Sequence, residues 1–183
     1  SKEKGHEEYQ EGDLLLLHSV RANGQGTDYL SPDKVKKNTD MIDKFKIKIS
    51  ILVPQNGEVG VSPEKGYRSI SSPQILYPGT VDTFSYLNIG FFDTEQEAIN
   101  FRDFMTCKLP RYMMRVTYSS VHISKTNFMF VPMLDFTQSW TDEKLYNYFG
   151  LTLEERAIIE NTMRPLILEK DDVGKEYYIK YWK

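Results

Sequence analysis

The sequence predicts an α+β fold with a mixed or antiparallel sheet, a long kinked amphipathic helix and a C-terminal helical hairpin. Residues 45–53 alternate apolar and polar side chains with the two-residue period of a β-strand. Apolar residues between positions 98 and 116 recur at the spacing of one helix face, and two Thr-capped segments follow between positions 141 and 163. The length of 183 residues is sufficient for one domain with a buried core.

The first half of the chain is predicted to be rich in β-strands. The leucine-rich residues 13–20 should form a strand that leads into a glycine-containing loop or hairpin over residues 21–28. In the alternating segment, Phe45, Ile47 and Ile49 are expected to share one face, while Lys46 and Lys48 line the other and present a lysine-rich surface. Further strands are expected at residues 67–70, 74–77, 83–92 and 128–131.

Capping residues and prolines predict where the first helices begin. Ser31 followed by Pro32 indicates a helix that extends to residue 43. Asp93 and Gln96 have the spacing of a capping box at the start of the long helix. Pro110 should kink this helix or split it in two, because proline removes an amide donor and crowds the preceding turn.

Two shorter helices are expected near the C-terminus. Thr141 is the predicted N-cap of a helix that stops at Gly150. Thr152 and Glu155 form a capping box for the next helix, which should end at Pro165. Residues 177–182 are compatible with an edge strand or a short helix.

The composition excludes several classes of protein. No stretch approaches the ~18 consecutive apolar residues of a membrane span, and residues 1–12 lack the apolar core of a secretory signal. The single cysteine, Cys107, leaves no internal disulfide and suits a reducing compartment, so we predict a cytoplasmic location. The histidines are scattered, and no zinc-site spacing is present. Because the first residue is serine, we also expect that the chain is a domain excised from a longer protein.

Basic residues are concentrated in two segments, although the formal net charge is −3. Residues 33–50 contain six lysines and three acids, and residues 99–134 contain five basic residues and a single acid. DNA recognition requires cations for the phosphates and side chains that reach base edges. The candidate DNA-binding residues are Arg21, Asn23, Gln25, Lys34, Lys37, Lys46, Lys48, Arg111, Arg115, Ser119, Ser120 and Lys125.

These candidates have different expected roles. Arg21, Asn23 and Gln25 are preferred for base readout, because arginine can bind guanine bidentately and the two amides can bind adenine in the same way. Groove or backbone contacts are also expected from Ser119, Ser120 and Lys125, and phosphate contacts from Lys34, Lys37, Lys46 and Lys48.

Other interpretations of the same residues remain open. The basic segments are also typical of an ordinary solvated surface. A metal-dependent nuclease could use Asp33 and Asp142 to hold the metal and Lys144 to polarise a phosphate, provided that the two acids converge. A third alternative is a subunit-assembly domain that uses exposed tyrosines and Trp140 to bind a partner.

A family resemblance rests on several motifs in the second half of the chain. They are DTEQEA at 93–98, KLPRY at 108–112, HISK at 122–125, FVPMLDF at 130–136 and WTDEKLYNYFGLTLEE at 140–155. Together they resemble a C-terminal domain of bacterial restriction-modification proteins. It is the target-recognition domain that adenine-specific DNA methyltransferases and fused methylase-endonucleases carry beside their catalytic domain. The similarity extends from about residue 13 to residue 165.

The resemblance implies a DNA-sequence-reading module that works in cis with an N6-adenine methyltransferase or a nuclease. Its partners would be double-stranded DNA and that catalytic domain of the same polypeptide. The catalytic and S-adenosylmethionine motifs are absent from this sequence, so S-adenosylmethionine and Mg²⁺ would serve the part of the protein outside it. This chain alone would have no catalytic residue, no cofactor and no enzymatic activity. The implied organisation is a polar tail (1–12), the recognition domain (13–165) and a C-terminal extension packed on it (166–183).

Overall fold

A computed structural model of the chain describes residues 5–18, 26–53, 66–168 and 172–183. These residues form two three-stranded sheets and five α-helical segments, which confirms the predicted α+β class. The strands are β1 (Leu14–Leu17), β2 (Thr27–Leu30), β3 (Phe45–Ser50), β4 (Gln74–Leu76), β5 (Thr80–Asp82) and β6 (Tyr86–Phe92). The helices are α1 (Glu95–Thr106), α2 (Lys108–Arg115), α3 (Asp142–Tyr148), α4 (Leu153–Thr162) and α5 (Lys175–Tyr177), which continues as a π-helical turn over Tyr178–Trp182.

The two sheets have different topologies. In the first sheet the strand order is β2-β1-β5, with β1 antiparallel to β2 and parallel to β5. In the second sheet the order is β4-β3-β6, and both pairings are antiparallel. The chain passes from the second sheet to the first between β4 and β5, through Pro78 and Gly79. Gly79 has a φ of +78°, and a Cβ atom there would lie within 2.8 Å of the Trp182 and Tyr177 rings.

The main core lies between one face of the second sheet and the helices. Phe45, Ile47 and Ile49 of β3 are buried as their alternation predicts, and α1 covers them with its own buried face. Phe136 completes this core, because its ring packs edge-on against the Phe101 ring with the centroids 4.9 Å apart.

The C-terminal residues are attached to both sheets. The Tyr177 hydroxyl donates a hydrogen bond to the Asp13 carbonyl beside β1. Asp172 accepts a hydrogen bond from the backbone amide of Ile75 in β4, and its carboxylate pairs with Arg102 of α1. Residues 172–183 therefore help to fix the position of the first sheet relative to the second.

Arg111 is a buried structural residue rather than a surface cation. Its guanidinium donates hydrogen bonds of 2.9–3.1 Å to the carbonyl oxygens of Thr106, Cys107, Arg68 and Arg164. The side chain is completely buried, so it has no access to a phosphate group. The expectation that Arg111 contacts DNA is corrected, because its donors are used to join the α1–α2 junction to two other segments.

Several helix boundaries follow the predicted local signals. The long helix is split as expected, with an extended residue at Cys107 between α1 and α2. Pro110 lies in the first turn of α2, where its missing amide has no helical partner to lose. Thr141 caps α3, and Thr152 with Glu155 forms the capping box of α4.

Other local predictions are wrong. Instead of a helix over residues 32–43, the chain forms two 3₁₀ turns, Pro32–Lys34 and Thr39–Met41, because this largely exposed segment has no apolar face to pack. Residues 128–131 are not a strand but the end of a 3₁₀ helix (Lys125–Phe128) and a turn. Residues 67–70 form only an isolated bridge, at Tyr67. The N-cap of α1 is Thr94, which accepts a hydrogen bond from the Glu97 amide, and not Asp93.

Replacing Arg111 should destabilise the fold. The Arg111→Met substitution leaves several buried carbonyl groups without their charged donors, so we expect the free energy of unfolding to fall by about 3 kcal/mol or more. Urea denaturation would measure the loss. Lys37→Met at an exposed position is the control and should change the free energy by less than about 0.5 kcal/mol. Similar values for the two variants would contradict the structural role of Arg111.

Candidate nucleic-acid interface

Three chain segments lie side by side at the end of β3. The Ile51 amide donates a hydrogen bond to the carbonyl of Ser85, in the turn between β5 and β6. On the other side, the Ile123 amide donates to the Ile51 carbonyl at 2.7 Å, and the Val53 amide donates to the Val121 carbonyl at 2.9 Å. We call residues 51–53, 83–86 and 119–125 together the β3-end surface.

The hairpin between β1 and β2 starts and finishes beside this surface. The His18 amide donates to the Gly26 carbonyl, and the His18 ring nitrogen Nε2 lies 2.5 Å from the Asp28 carboxylate. The Tyr86 hydroxyl donates a 3.0 Å hydrogen bond to the His18 carbonyl. The two ends of the hairpin are thereby joined to the turn that precedes β6.

The predicted readout residues belong to the loop of this hairpin. Arg21, Asn23 and Gln25 lie outside the described residues. What the structure establishes is that the chain leaves β1 and returns to β2 next to the β3-end surface.

The segment that follows α2 exposes the predicted hydroxyl and basic side chains. Ser119, Ser120 and Lys125 are exposed, and so is His122, which sequence reasoning did not select. Residues 104–134 contain no aspartate or glutamate, so no acidic side chain of this segment opposes an anionic ligand. Arg115 is partly buried, with its guanidinium 3.8 Å from the centre of the Tyr67 ring.

Lys34 and Lys37 occupy a different region. Both are exposed, in the connection that leads into β3 at its Phe45 end. The β3-end surface begins after Ser50, so the length of β3, about 17 Å at ~3.3 Å per residue, lies between these two ends. The structure therefore places the hairpin ends and residues 119–125 at the same end of β3, and Lys34 and Lys37 in the connection that leads into its other end.

Lys46 and Lys48 do not line a solvent-facing strand, and this prediction is wrong. The two side chains are only 4% and 3% exposed. The Lys46 ammonium donates to the carbonyl oxygens of Met41, Ile42 and Lys44, and burial lowers its pKa to about 8. The Lys48 ammonium lies 3.9 Å from the centre of the Tyr86 ring. A phosphate cannot reach either lysine in this conformation.

Asp82 supplies a negative charge close to these buried lysines. It is the last residue of β5 in the first sheet, and the Asn88 side-chain amide donates a 3.0 Å hydrogen bond to its carboxylate. Burial raises the Asp82 pKa to about 6, while the Asn88 hydrogen bond and the ammonium groups of Lys46 and Lys48 act in the opposite direction. Lys46 and Lys48 on β3 and Asp82 at the end of β5 thus interact with one another and have a structural role next to the β3-end surface.

The residues proposed for a nuclease have local structural partners. Asp142 accepts hydrogen bonds from the backbone amides of Lys108 and Leu109 at the start of α2. Lys144 donates to the Ser139 carbonyl, and Asp33 accepts from the Ser31 hydroxyl. Within the described ranges, no group of three or more His, Cys, Asp or Glu residues is arranged to hold a metal ion.

Trp140, one of the aromatic residues named for the assembly alternative, is not available at the surface. Trp140 is buried, and its indole nitrogen donates to the Asp135 carbonyl. The nearby Cys107 thiol is also buried, and burial raises its pKa to about 12, which makes the reactive thiolate scarce.

Sequence reasoning missed the residues that organise the β3-end surface. Tyr86 and Phe84 were assigned to one continuous strand, whereas Thr83–Ser85 form a turn with Phe84 at its exposed tip. No glycine or proline marks this turn, so the sequence gives no local signal for it.

No helix in the described parts of the chain is both long and apolar enough to span a membrane. In comparisons with protein-family models, curated proteins and solved structures, no match to this chain was found. The resemblance to restriction-modification proteins therefore rests on the sequence motifs themselves.

The raised pKa of Asp82 gives a testable pH dependence. Its folded pKa of about 6 exceeds the ordinary pKa of an aspartate, 3.8, so the folded state binds the proton more tightly than the unfolded state. The contribution of Asp82 to stability should therefore fall as the pH rises from about 4 to about 6, and stay constant above that range. Urea denaturation of the wild type and of Asp82→Asn at several pH values would measure it. A difference in unfolding free energy that is independent of pH would contradict the assignment.

Proposed function

We propose that this chain is the DNA target-recognition domain of a bacterial restriction-modification enzyme. It reads a DNA sequence and positions an N6-adenine methyltransferase, an endonuclease or both, located elsewhere in the full-length polypeptide. The observation that carries the proposal is that the hairpin ends and residues 119–125 both lie at the same end of β3. Tyr86 binds the His18 carbonyl, and residues 121 and 123 form hydrogen bonds with residues 53 and 51. The hairpin and residues 119–125 are two segments that the sequence selected independently for DNA contact.

The chemistry of the surface supports readout of a duplex. Ser119 and Ser120 are short side chains that can donate to or accept from base edges and phosphates, and Lys125 supplies a positive charge beside them. Arg21 and Gln25 can add bidentate readout from the hairpin. The backbone hydrogen bonds with Ile51 and Val53, just after β3, hold the segment in place, so binding has less conformational entropy to overcome.

Arg115 and the two remote lysines have separate roles in this proposal. Arg115 lies at the end of α2, just before the segment, and its contact with Tyr67 fixes the guanidinium near the surface. Lys34 and Lys37 contact the phosphate backbone away from the bases that are read, because the length of β3 lies between the two regions.

The domain itself performs no reaction step in this scheme. Methyl transfer, cleavage and the binding of S-adenosylmethionine and Mg²⁺ belong to the catalytic part of the polypeptide. The enzyme acts in the cytoplasm, where its DNA substrate lies.

One separate observation favours contact between this domain and another protein domain. The hairpin of α3 and α4 exposes several large apolar side chains, namely Tyr148, Phe149, Leu153 and Ile158. Apolar groups that remain exposed in one domain are typical of a docking surface. The catalytic part of the same polypeptide is the partner that the proposed function supplies.

A binding titration against a randomised duplex pool tests the proposal. The chain should retain duplexes with a shared short motif, and its affinity should fall steeply with salt concentration because phosphate contacts release counterions. Sequencing the retained pool at two salt concentrations provides both measurements. Absence of DNA binding at low salt would count against a recognition function for this chain.

Substitutions should separate base readout from phosphate contact. Arg21→Ala or Gln25→Ala should weaken binding to the enriched duplex by roughly 1–3 kcal/mol, with little effect on random duplexes. Lys34→Ala and Lys37→Ala should weaken binding to both duplexes to a similar extent and reduce its salt dependence. Fluorescence anisotropy with the two duplexes measures each affinity. Equal losses on both duplexes for the hairpin variants would exclude a readout role for those residues.

A further inference from the structure

Phe84 is the most exposed large apolar side chain in the described parts of the protein. Its exposure is 84%, at the tip of the turn between β5 and β6. A phenylalanine in this position loses the stabilisation that burial would give it, and nothing in the turn geometry requires an aromatic residue. An exposed aromatic ring with no structural role in its turn is typical of a surface that a ligand covers.

The turn that carries Phe84 is held by its neighbours. The Tyr86 amide donates a 3.1 Å hydrogen bond to the Thr83 carbonyl and closes the turn. The Ser85 carbonyl accepts from the Ile51 amide, and the Tyr86 hydroxyl binds the His18 carbonyl. Phe84 therefore lies on a turn that hydrogen bonds hold in place, and not at a free chain end.

The surroundings of Phe84 combine apolar and basic groups. Leu52 and Val121, on the two adjacent segments of the β3-end surface, are also exposed. Exposed His122 is paired across the bridge with Leu52, and Lys125 follows three residues later. The segment from residue 104 to residue 134 contains no acidic side chain.

Two acidic groups on strands that adjoin this turn, Asp82 and Asp28, already have partners. Asp82 accepts from Asn88 and lies near two ammonium groups, and Asp28 pairs with His18. The charge around the turn is thus compatible with a polyanion.

Nucleic acid offers the matching chemistry. Its base faces are apolar and aromatic, whereas the backbone on either side is anionic. Exposed phenylalanine side chains can enter between neighbouring base pairs and partly unstack them. A protein partner would also cover the ring, but the exposed His122 and Lys125 beside it match an anionic backbone.

We propose that Phe84 inserts at a base step of the target duplex and unstacks it, while the flanking basic residues bind the backbone. This inference rests on the proposed function and adds the state of the bound DNA: a locally unstacked duplex. The turn then has a direct role in DNA contact in addition to connecting two sheets.

The test uses the whole chain and a short duplex in which 2-aminopurine replaces one adenine at a time. The sequence is the one enriched from the random pool, or a mixed sequence if none is enriched. 2-Aminopurine becomes more fluorescent when it is unstacked, so the wild type should produce a rise at one position. Phe84→Ala should abolish this rise and weaken binding roughly tenfold. Phe84→Trp should restore both, because indole also stacks.

Ile167→Ala is the matched control. Ile167 is also highly exposed, at 75%, but it follows α4 and lies outside the β3-end surface. This variant should retain the fluorescence rise and the affinity of the wild type. Thermal unfolding of all variants should stay close to the wild type, because neither side chain is buried.

The outcomes distinguish this inference from the proposed function. Wild-type binding with an unchanged Phe84→Ala variant would overturn the role of Phe84 and leave DNA recognition intact. Failure of the wild type to bind any duplex at low salt would overturn both. If Phe84→Ala changes only self-association in sedimentation velocity, the ring belongs to a protein contact and the insertion proposal is wrong.

Discussion

The buried guanidinium of Arg111 is the interaction on which the arrangement of this protein depends most. It joins the α1–α2 junction to the segment before β4 and to the segment after α4 by binding carbonyl oxygens of all three. The last carbonyls of a helix lack partners within the helix, and here a charged donor satisfies them. Because residues 116–125 continue directly from α2, the orientation fixed by Arg111 also determines where that segment meets β3.

A second set of buried polar residues lies on the face of β3 that is turned away from the main core. Lys46 and Lys48 are buried there, with Asp82 of the first sheet as the nearby carboxylate, and burial moves the pKa of Asp82 up and that of Lys46 down. Charged groups that lose water need defined partners, so this arrangement tolerates little change in strand register. The network restricts how the second sheet, the connection before β3 and the end of β5 can be placed relative to one another.

The Arg111 network and the buried residues around Lys46 stabilise the fold, and the residues proposed to contact DNA lie elsewhere, as is typical of a recognition surface. The sheets and α2 form the frame, while a turn, the ends of the β1–β2 hairpin and an exposed segment adjoin the end of β3. In the proposed function, the hairpin and residues 119–125 supply base-edge and phosphate contacts, and the turn with Phe84 supplies an apolar ring. Such an edge can change its specificity through surface residues, because the interactions that determine the fold lie behind it.

The sequence by itself determined the α+β class, most strands and the main helices, because caps and periodicity act within a few residues. Thr141 and Thr152 cap their helices as predicted, and β3 buries its apolar face. Only the tertiary structure decided which polar groups are buried. Lys46 and Arg111 have the sequence pattern of surface cations, but their environments include groups 36 or more residues away in the chain. The exposure of Phe84 was equally inaccessible to sequence reasoning, since it results from a turn that long-range hydrogen bonds to residues 18 and 51 hold in place.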